Sequence, residues 1–95
     1  MYTQSSIDRI REASILDVIG NYVELKKAGS LYECCSPFSK EKTPSFKVST
    51  VKNNWVCYST NQSGDGIKFV MQYSNCDFPE AVKAIASICN IYLEK

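Results

Sequence analysis

The sequence predicts an α+β domain in which a small antiparallel sheet is flanked by amino-terminal and carboxy-terminal helices. Apolar residues recur at helical spacing near both ends of the chain, in residues 7–19 and 67–89. Between these segments apolar and polar residues alternate, which is the two-residue period of β-strands. The chain has 95 residues, so we expect a single domain that spans residues 1–95.

Two short helices are predicted before the sheet. Ser5 or Ser6 is expected to cap the first helix, and Ser14 the second. The second helix is expected to end at Gly20 and Asn21, because glycine and asparagine tolerate the backbone that terminates a helix.

Alternating residues and turn residues predict two antiparallel hairpins in the middle of the chain. The four predicted strands are Tyr22–Lys26, Leu31–Cys35, Phe46–Val51 and Trp55–Ser59. Residues 27–30 and the pair Asn53-Asn54 are the expected turns. Residues 36–45 and 60–66 are expected to form loops.

Helical periodicity returns after the sheet. Asp65 is expected to cap a helix that starts near Ile67, and Asp77 with Glu80 forms a capping box for the last helix. Val82, Ile85, Ala86 and Cys89 form its predicted buried stripe.

The composition excludes several classes of protein. The chain contains no histidine, so histidine-based catalysis and histidine metal ligands are excluded. No apolar run approaches the ~20 residues of a membrane helix, and the polar amino terminus lacks the pattern of a signal peptide. We therefore expect a cytoplasmic protein with no membrane partner.

Charge is distributed unevenly along the chain. The net charge is +1, yet residues 26–68 contain seven lysines and three acids, and the two ends are acidic. A basic middle region can attract a polyanion, although a solvated lysine-rich face is an equally good reading of the charge alone.

Two strings of residues carry a family resemblance. The first runs from Pro37 to Phe46 and includes EKTPSF, and the second is Cys57 with the later segment Gly64-Asp65-Gly66-Ile67-Lys68-Phe69. Both resemble the amino-terminal zinc-binding domain of bacterial-type DNA primases, and the similarity extends over roughly residues 7–91. The resemblance implies a zinc-ribbon-like sheet and a role in recognising single-stranded DNA template for primer synthesis.

The same resemblance places a metal site where this chain lacks the ligands. The family binds zinc through a Cys-Pro-Phe-His unit and a later Cys-x-x-Cys unit, which fall here on Ser36, Ser39, Cys57 and Thr60. Three of these four positions carry hydroxyl groups, which are poor zinc ligands. We therefore expect no bound cofactor and a degenerate zinc site.

The five cysteines leave two alternatives open. A metal bound by Cys35 and Cys57, with Cys34 or Cys76 and water, is one of them, and a Cys35–Cys57 disulfide is the other. Adjacent residues of a strand point to opposite faces, and a cytosolic protein favours reduced thiols, so both alternatives are less favoured than free cysteines.

Lysines and aromatic residues of the middle region form the predicted DNA-binding site. Stacking of bases on rings and pairing of ammonium groups with phosphates are typical of single-strand binding. The predicted residues are Lys26, Lys27, Lys42, Lys47, Lys52, Lys68, Trp55 and Tyr58. Alternation places Trp55 and Tyr58 on opposite faces, so a core position for either ring stays open. Lys42 is interpreted as a phosphate contact, with an ion pair to Glu41 as the alternative.

The functional prediction is a nucleic-acid-binding module of a DNA primase or primase-like protein. No Asp-x-Asp pair or glycine-rich phosphate loop is present, so no catalysis is expected from this chain alone. The parent protein would be a primase, a nucleotidyltransferase, or a small standalone relative such as one from a mobile element. The alternative is a protein-interaction module whose acidic helices dock on a helicase or on the primase catalytic domain.

Overall fold

The structure is a computed structural model, and it describes residues 2–35 and 45–93. Nine elements follow one another in the described residues: α1 Gln4–Glu12, α2 Ile15–Gly20, β1 Lys26–Ala28, β2 Leu31–Cys34, β3 Phe46–Ser49, β4 Asn54–Cys57, β5 Gln62–Gly64, α3 Gly66–Ser74 and α4 Phe78–Cys89. The predicted α+β class, with helices on both sides of the sheet in sequence, is confirmed.

The sheet is an antiparallel meander in which every strand pairs with its neighbours in sequence, in the order β1-β2-β3-β4-β5. A two-residue turn at Gly29 and Ser30 joins β1 to β2, and Gly29 adopts φ 65°. A positive φ is what tight hairpins require, and glycine adopts it without strain.

Burial alternates along the two central strands and defines two faces. In β3 and β4, Phe46, Val48, Trp55 and Cys57 are buried, while Lys47 and Val56 between them are partly exposed. The buried residues form the inner face, which contacts α2 and α3, and the buried residues of all four helices join it in one continuous core. The opposite side of the sheet, which we call the outer face, is left without a helical layer among the described residues.

The core is built around stacked and tilted aromatic rings. Phe46 and Trp55 stack with ring centroids 5.4 Å apart, and Phe69 of α3 packs edge-on against both rings. The indole N–H of Trp55 donates to the carbonyl of Asp65 at 2.7 Å. Because this donor is satisfied, the largest side chain of the chain can be buried completely without an unpaired polar atom.

Both carboxy-terminal helices begin where local signals predict. Asp65 and Asp77 are the N-caps of α3 and α4, and their side chains accept hydrogen bonds from the amides of Lys68 and Glu80. The predicted buried stripe of α4 is present at Val82, Ile85 and Ala86, whereas Cys89 is only partly buried.

The amino-terminal caps differ from the prediction. Thr3, rather than Ser5 or Ser6, caps α1 by accepting from the amide of Ser6, whose own hydroxyl is buried and bonded to Thr3. Ser14 stands at the N-cap position of α2, but its side chain makes no capping bond.

Asn53, from the β3–β4 turn, performs the capping function at α2 instead. Its Oδ1 accepts from the amide of Ile15 at 2.9 Å, and its Nδ2 donates to the carbonyls of Ala13 at 3.1 Å and Arg11 at 3.3 Å. One side chain thus clips the hairpin to the junction between α1 and α2.

Two edge strands also differ from the prediction. Pairing in β1 starts only at Lys26, because Tyr22 packs its ring against Phe69 and Tyr73 and Leu25 also faces the core. The predicted 60–66 loop contains β5, a short polar strand that has no apolar alternation to reveal it.

Asparagine occupies all four non-glycine positions of positive φ in residues 2–35 and 45–93: Asn53, Asn61, Asn75 and Asn90. Asn75 and Asn90 end α3 and α4 in the left-handed conformation. Apart from glycine, asparagine is among the residues that adopt this left-handed conformation most readily. The residue type at each of these positions therefore already favours the turn.

None of the described helices has the length and apolar character needed to cross a membrane.

Candidate nucleic-acid interface

The outer face is organised in rows of residues that lie directly opposite one another across the strands. The central row runs Lys26, Glu33, Lys47, Val56 and Ser63 from β1 to β5. Because side chains of one row share a face and neighbouring strands lie about 4.8 Å apart, these groups form one contiguous strip.

Three of the predicted DNA-binding residues meet in one groove on this face. Lys47, Lys52 and Tyr58 line a shallow groove of about 160 Å³. The other lining residues are Leu31, Ser49, Asn54 and Val56. The groove therefore combines two ammonium groups, one exposed phenol ring and a small apolar floor.

Tyr58 lies just beyond β4 and stays in register with the sheet, since its amide donates to the carbonyl of Ser45 at 2.9 Å. Its side chain is 68% exposed, which is unusual for an aromatic ring next to a core strand. A ring held at the sheet surface by backbone pairing is available for stacking.

Trp55 must be removed from the predicted site. It is 0% exposed, lies on the inner face and is enclosed by Phe46 and Phe69. The alternation of β4 places Trp55 and Tyr58 on opposite faces, and hydrophobic burial of the larger ring decides which face is the core.

The remaining lysines lie around the groove rather than in it. Lys26 belongs to the central row, whereas Lys27 pairs with Tyr32 and so points to the other side of β1. Lys68 is exposed on α3, and its aliphatic stem crosses the backbone of Gly64, where an added Cβ would lie 2.6 Å from its Cδ. Lys42 falls outside the described residues.

Glu33 is a functional candidate that the sequence prediction omitted. It stands between Lys26 and Lys47 in the central row and forms an ion pair with the ammonium of Lys47. Both side chains are partly buried, at 25% exposure for Glu33 and 29% for Lys47. Strand alternation from Lys47 would have placed Glu33 on this face if the β2–β3 register had been known.

Comparison with known proteins identifies the family. The family described as CHC2 zinc finger, a zinc ribbon, matches residues 2–95. The chain belongs to the CHC2 zinc finger family. The predicted resemblance to the primase zinc-binding domain is thereby confirmed.

Individual relatives of this CHC2 domain are DNA primases. A DNA primase of Helicobacter pylori (strain J99) is 44% identical over 95 residues, covering 99% of this chain and 17% of the relative. A Campylobacter jejuni DNA primase is 38% identical over 94 residues, covering 98% and 16%, and a Pseudomonas putida DNA primase is 46% identical over 79 residues, covering 83% and 12%. The chain thus spans between about one eighth and one sixth of the length of these relatives.

A solved structure shares the fold of the CHC2 domain. The Aquifex aeolicus primase structure, which contains zinc-binding and RNA polymerase domains, superposes with a TM-score of 0.83 at 38% identity. The match covers 93% of this chain and 22% of the other.

The ligand positions that the resemblance implies for this CHC2 domain carry Ser36, Ser39, Cys57 and Thr60. Ser36 and Ser39 lie outside the described residues. Cys57 is buried on the inner face with its Sγ 3.3 Å from the hydroxyl of Ser59, and the Thr60 hydroxyl donates to Gln62 at 3.4 Å. One thiol with hydroxyl groups is a poor donor set for a tetrahedral zinc ion.

The other cysteines offer no replacement site within the described residues. No group of three His, Cys, Asp or Glu side chains is placed there to hold a metal ion, and no disulfide joins any of the five cysteines, all of which the structure describes. Cys35 is exposed while Cys57 is fully buried. Burial, followed by the nearby Cys35 and Cys57, raises the pKa of the Cys34 thiol to about 11, so this group stays protonated and a weak ligand at neutral pH.

Proposed function

We propose that the outer face binds single-stranded DNA template as the recognition module of a DNA primase. The observation that carries this proposal is the groove in which Tyr58 lies beside Lys47 and Lys52 on the side of the sheet that no described helix covers. Bases stack on the phenol ring, and the ammonium groups neutralise phosphates.

Lys26 extends the phosphate-binding strip along the central row. Lys27 and Lys68 contribute at the edges of the sheet, and Lys42 would add a contact from the EKTPSF segment. Lysine side chains are long enough to reach past the β-strand that carries them. Lys27, Lys68 and Lys42 therefore mainly raise the positive potential that attracts the DNA.

The test is the affinity of the domain for a fluorescently labelled single-stranded oligonucleotide, measured by anisotropy at low and at moderate salt. Tyr58→Ala should weaken binding by about fivefold to a hundredfold, the range for loss of one stacked base. Lys47→Ala and Lys52→Ala should each lower the slope of log affinity against log salt by about 0.7.

Matched controls exist in the same chain. Tyr92 is 75% exposed and lies beyond α4, and Lys83 lies on α4, away from the outer face. Tyr92→Ala and Lys83→Ala should leave affinity and salt slope nearly unchanged. Equal losses in the outer-face variants and the controls would contradict the proposal.

We propose further that the domain folds without zinc, because one thiol, at Cys57, and one hydroxyl, at Thr60, form a poor donor set for this ion. Elemental analysis of the purified protein should find far less than one zinc per chain, and a chelator should leave the melting temperature unchanged. A stoichiometric ion whose removal unfolds the protein would overturn this part of the proposal.

Polymerisation would belong to another domain of the parent nucleotidyltransferase, and residues 1–95 would act as one binding domain in the cytoplasm. A replicative helicase and the primase catalytic domain are its proposed protein partners.

A second candidate function is docking on one of these proteins. A groove of about 570 Å³ lies between α1 and the start of α4. Ile7 and Phe78 contribute apolar surface to it, and Arg11 and Lys83 contribute positive charge. The lining is thus cationic, although an acidic helical surface was predicted. Absence of single-strand binding at low salt would favour this function over the first.

A further inference from the structure

Glu33 is an acid set among the cations of the proposed binding face. In the central row it lies directly opposite Lys26 on one side and Lys47 on the other. Its carboxylate pairs with the Lys47 ammonium, and only about a quarter of each side chain is exposed. A strand of phosphates must therefore compete with Glu33 for Lys47.

Exchange of partners leaves Glu33 in an unfavourable state. Once the Lys47 ammonium turns to a phosphate, the largely buried carboxylate faces a polyanion and has lost its hydrogen bond from Lys47. A partly buried charge without a partner is costly, so binding is favoured when the ligand itself supplies a donor.

Nucleobases differ in whether they supply that donor. Cytosine carries an N4 amino group and adenine an N6 amino group, and acidic side chains accept hydrogen bonds from such groups. At the position of the cytosine N4 group, thymine carries the O4 oxygen, an acceptor that repels a carboxylate.

The position of Glu33 suits contact with a base edge. Val56 lies two strands from Glu33, about 10 Å across the sheet, and Tyr58 follows Val56 on the same side. A base stacked on Tyr58 and the next base of the bound DNA would together cover the distance between the Tyr58 ring and the Glu33 carboxylate.

We infer that Glu33 makes the outer face prefer bases with an exocyclic amino group, such as cytosine, over thymine. This inference rests on the proposed function, since it concerns the base selectivity of the same outer face, on which Glu33 lies beside the groove of Tyr58. Glu33 thereby acts as a specificity-determining residue, in addition to the stacking and phosphate contacts that hold any strand.

The experiment compares two labelled homopolymers, oligo-dC and oligo-dT, each about ten nucleotides long, a length that covers one small binding surface. Both bases are pyrimidines, so stacking on Tyr58 differs little. The measurements are made above neutral pH, where cytosine is unprotonated. The unmodified domain should bind oligo-dC about tenfold more tightly than oligo-dT, within the range for one base contact.

Glu33→Gln is the decisive variant. It keeps the shape of the side chain, removes the charge and can present its amide N–H to thymine O4, so the dC-to-dT ratio should fall to about twofold or less. Glu12→Gln on α1 is the control, because it changes the net charge equally on an exposed residue that is not part of the outer face. It should keep the ratio of the unmodified domain.

The possible results distinguish a failure of the inferred base preference from a failure of single-strand binding itself. Equal affinity of the unmodified domain for both homopolymers, or a ratio that Glu33→Gln leaves intact, overturns the inference while single-strand binding stands. Failure of the unmodified domain to bind either homopolymer at low salt overturns the proposed function, and the inference with it.

Discussion

Replacement of Asn53 by glycine tests whether one turn side chain holds the sheet to the helices. Asn53→Gly removes three hydrogen bonds, to Ile15, Ala13 and Arg11, at 2.9, 3.1 and 3.3 Å. Each bond contributes about 1 kcal/mol net, and the longest and most exposed one less. The expected loss is therefore about 2–3 kcal/mol, which includes the capping of α2.

Asn61→Gly is the matched control for the backbone effect of this substitution. Asn53 and Asn61 adopt φ 55° and 56°, so glycine relieves the same strain and loosens the unfolded chain equally at both positions. The difference between the two variants therefore isolates the side-chain bonds of Asn53.

The measurement is urea denaturation of both variants, supported by thermal melting. For a domain of this size, Asn53→Gly should melt about 10–20 °C below Asn61→Gly. If the two variants differ by less than about 0.5 kcal/mol, the clip contributes nothing measurable and the reasoning is wrong.

Three further predictions concern other parts of the domain. Gly64→Ala should lower the free energy of unfolding by about 1 kcal/mol, because the added Cβ would lie 2.6 Å from the Lys68 Cδ. Most of that loss should disappear when Lys68 is also replaced by alanine, and an equal loss with and without Lys68→Ala would refute the contact. Asp77→Ala should lower the unfolding free energy by about 1 kcal/mol, whereas Ser14→Ala should change it little, since the Ser14 hydroxyl makes no capping bond; denaturation curves that show the reverse order would contradict the capping assignment. The Cys34 pKa is raised to about 11, so the unfolded chain loses the thiol proton at lower pH than the folded chain, and stability should fall as pH rises from about 9 to about 11. Thermal melts over this range should show a smaller decrease of the melting temperature for Cys34→Ser than for the unmodified domain.

Local signals account for most of the fold that the sequence predicted. The helices α3 and α4 start at Asp65 and Asp77 because an acidic cap acts on amides within its own turn, which the sequence displays directly. The two central strands were likewise evident from their alternation. The family resemblance then indicated a zinc-ribbon-like sheet.

The features that sequence reasoning missed depend on distant contacts. The capping of α2 by Asn53 joins residues 38 positions apart, so Ser14 was the natural local choice. The strand β5 exists because it pairs with β4, although its residues have little strand propensity. Tyr22 lies outside β1, and its ring packs against Phe69 and Tyr73 of α3, about 50 positions along the chain.

The candidate site was predicted only in part, because it too depends on contacts between residues that are distant in the sequence. Alternation separated Trp55 from Tyr58, but only the packing of the helices shows that Trp55 is the buried one. Lys47 was identified by type, whereas its partner Glu33 required the β2–β3 register. Charge along a chain indicates an attractive region, and the register decides which charges share a surface.

The four asparagines of left-handed backbone have a consequence for the denatured ensemble. A glycine at each position would fit the native angle with less strain, yet it would also widen the range of conformations that the denatured chain explores. Asparagine keeps that range narrower, so less conformational entropy is lost when the domain folds. Stabilisation of this kind comes from the starting state rather than from any native contact, and it operates whether or not an ion is bound.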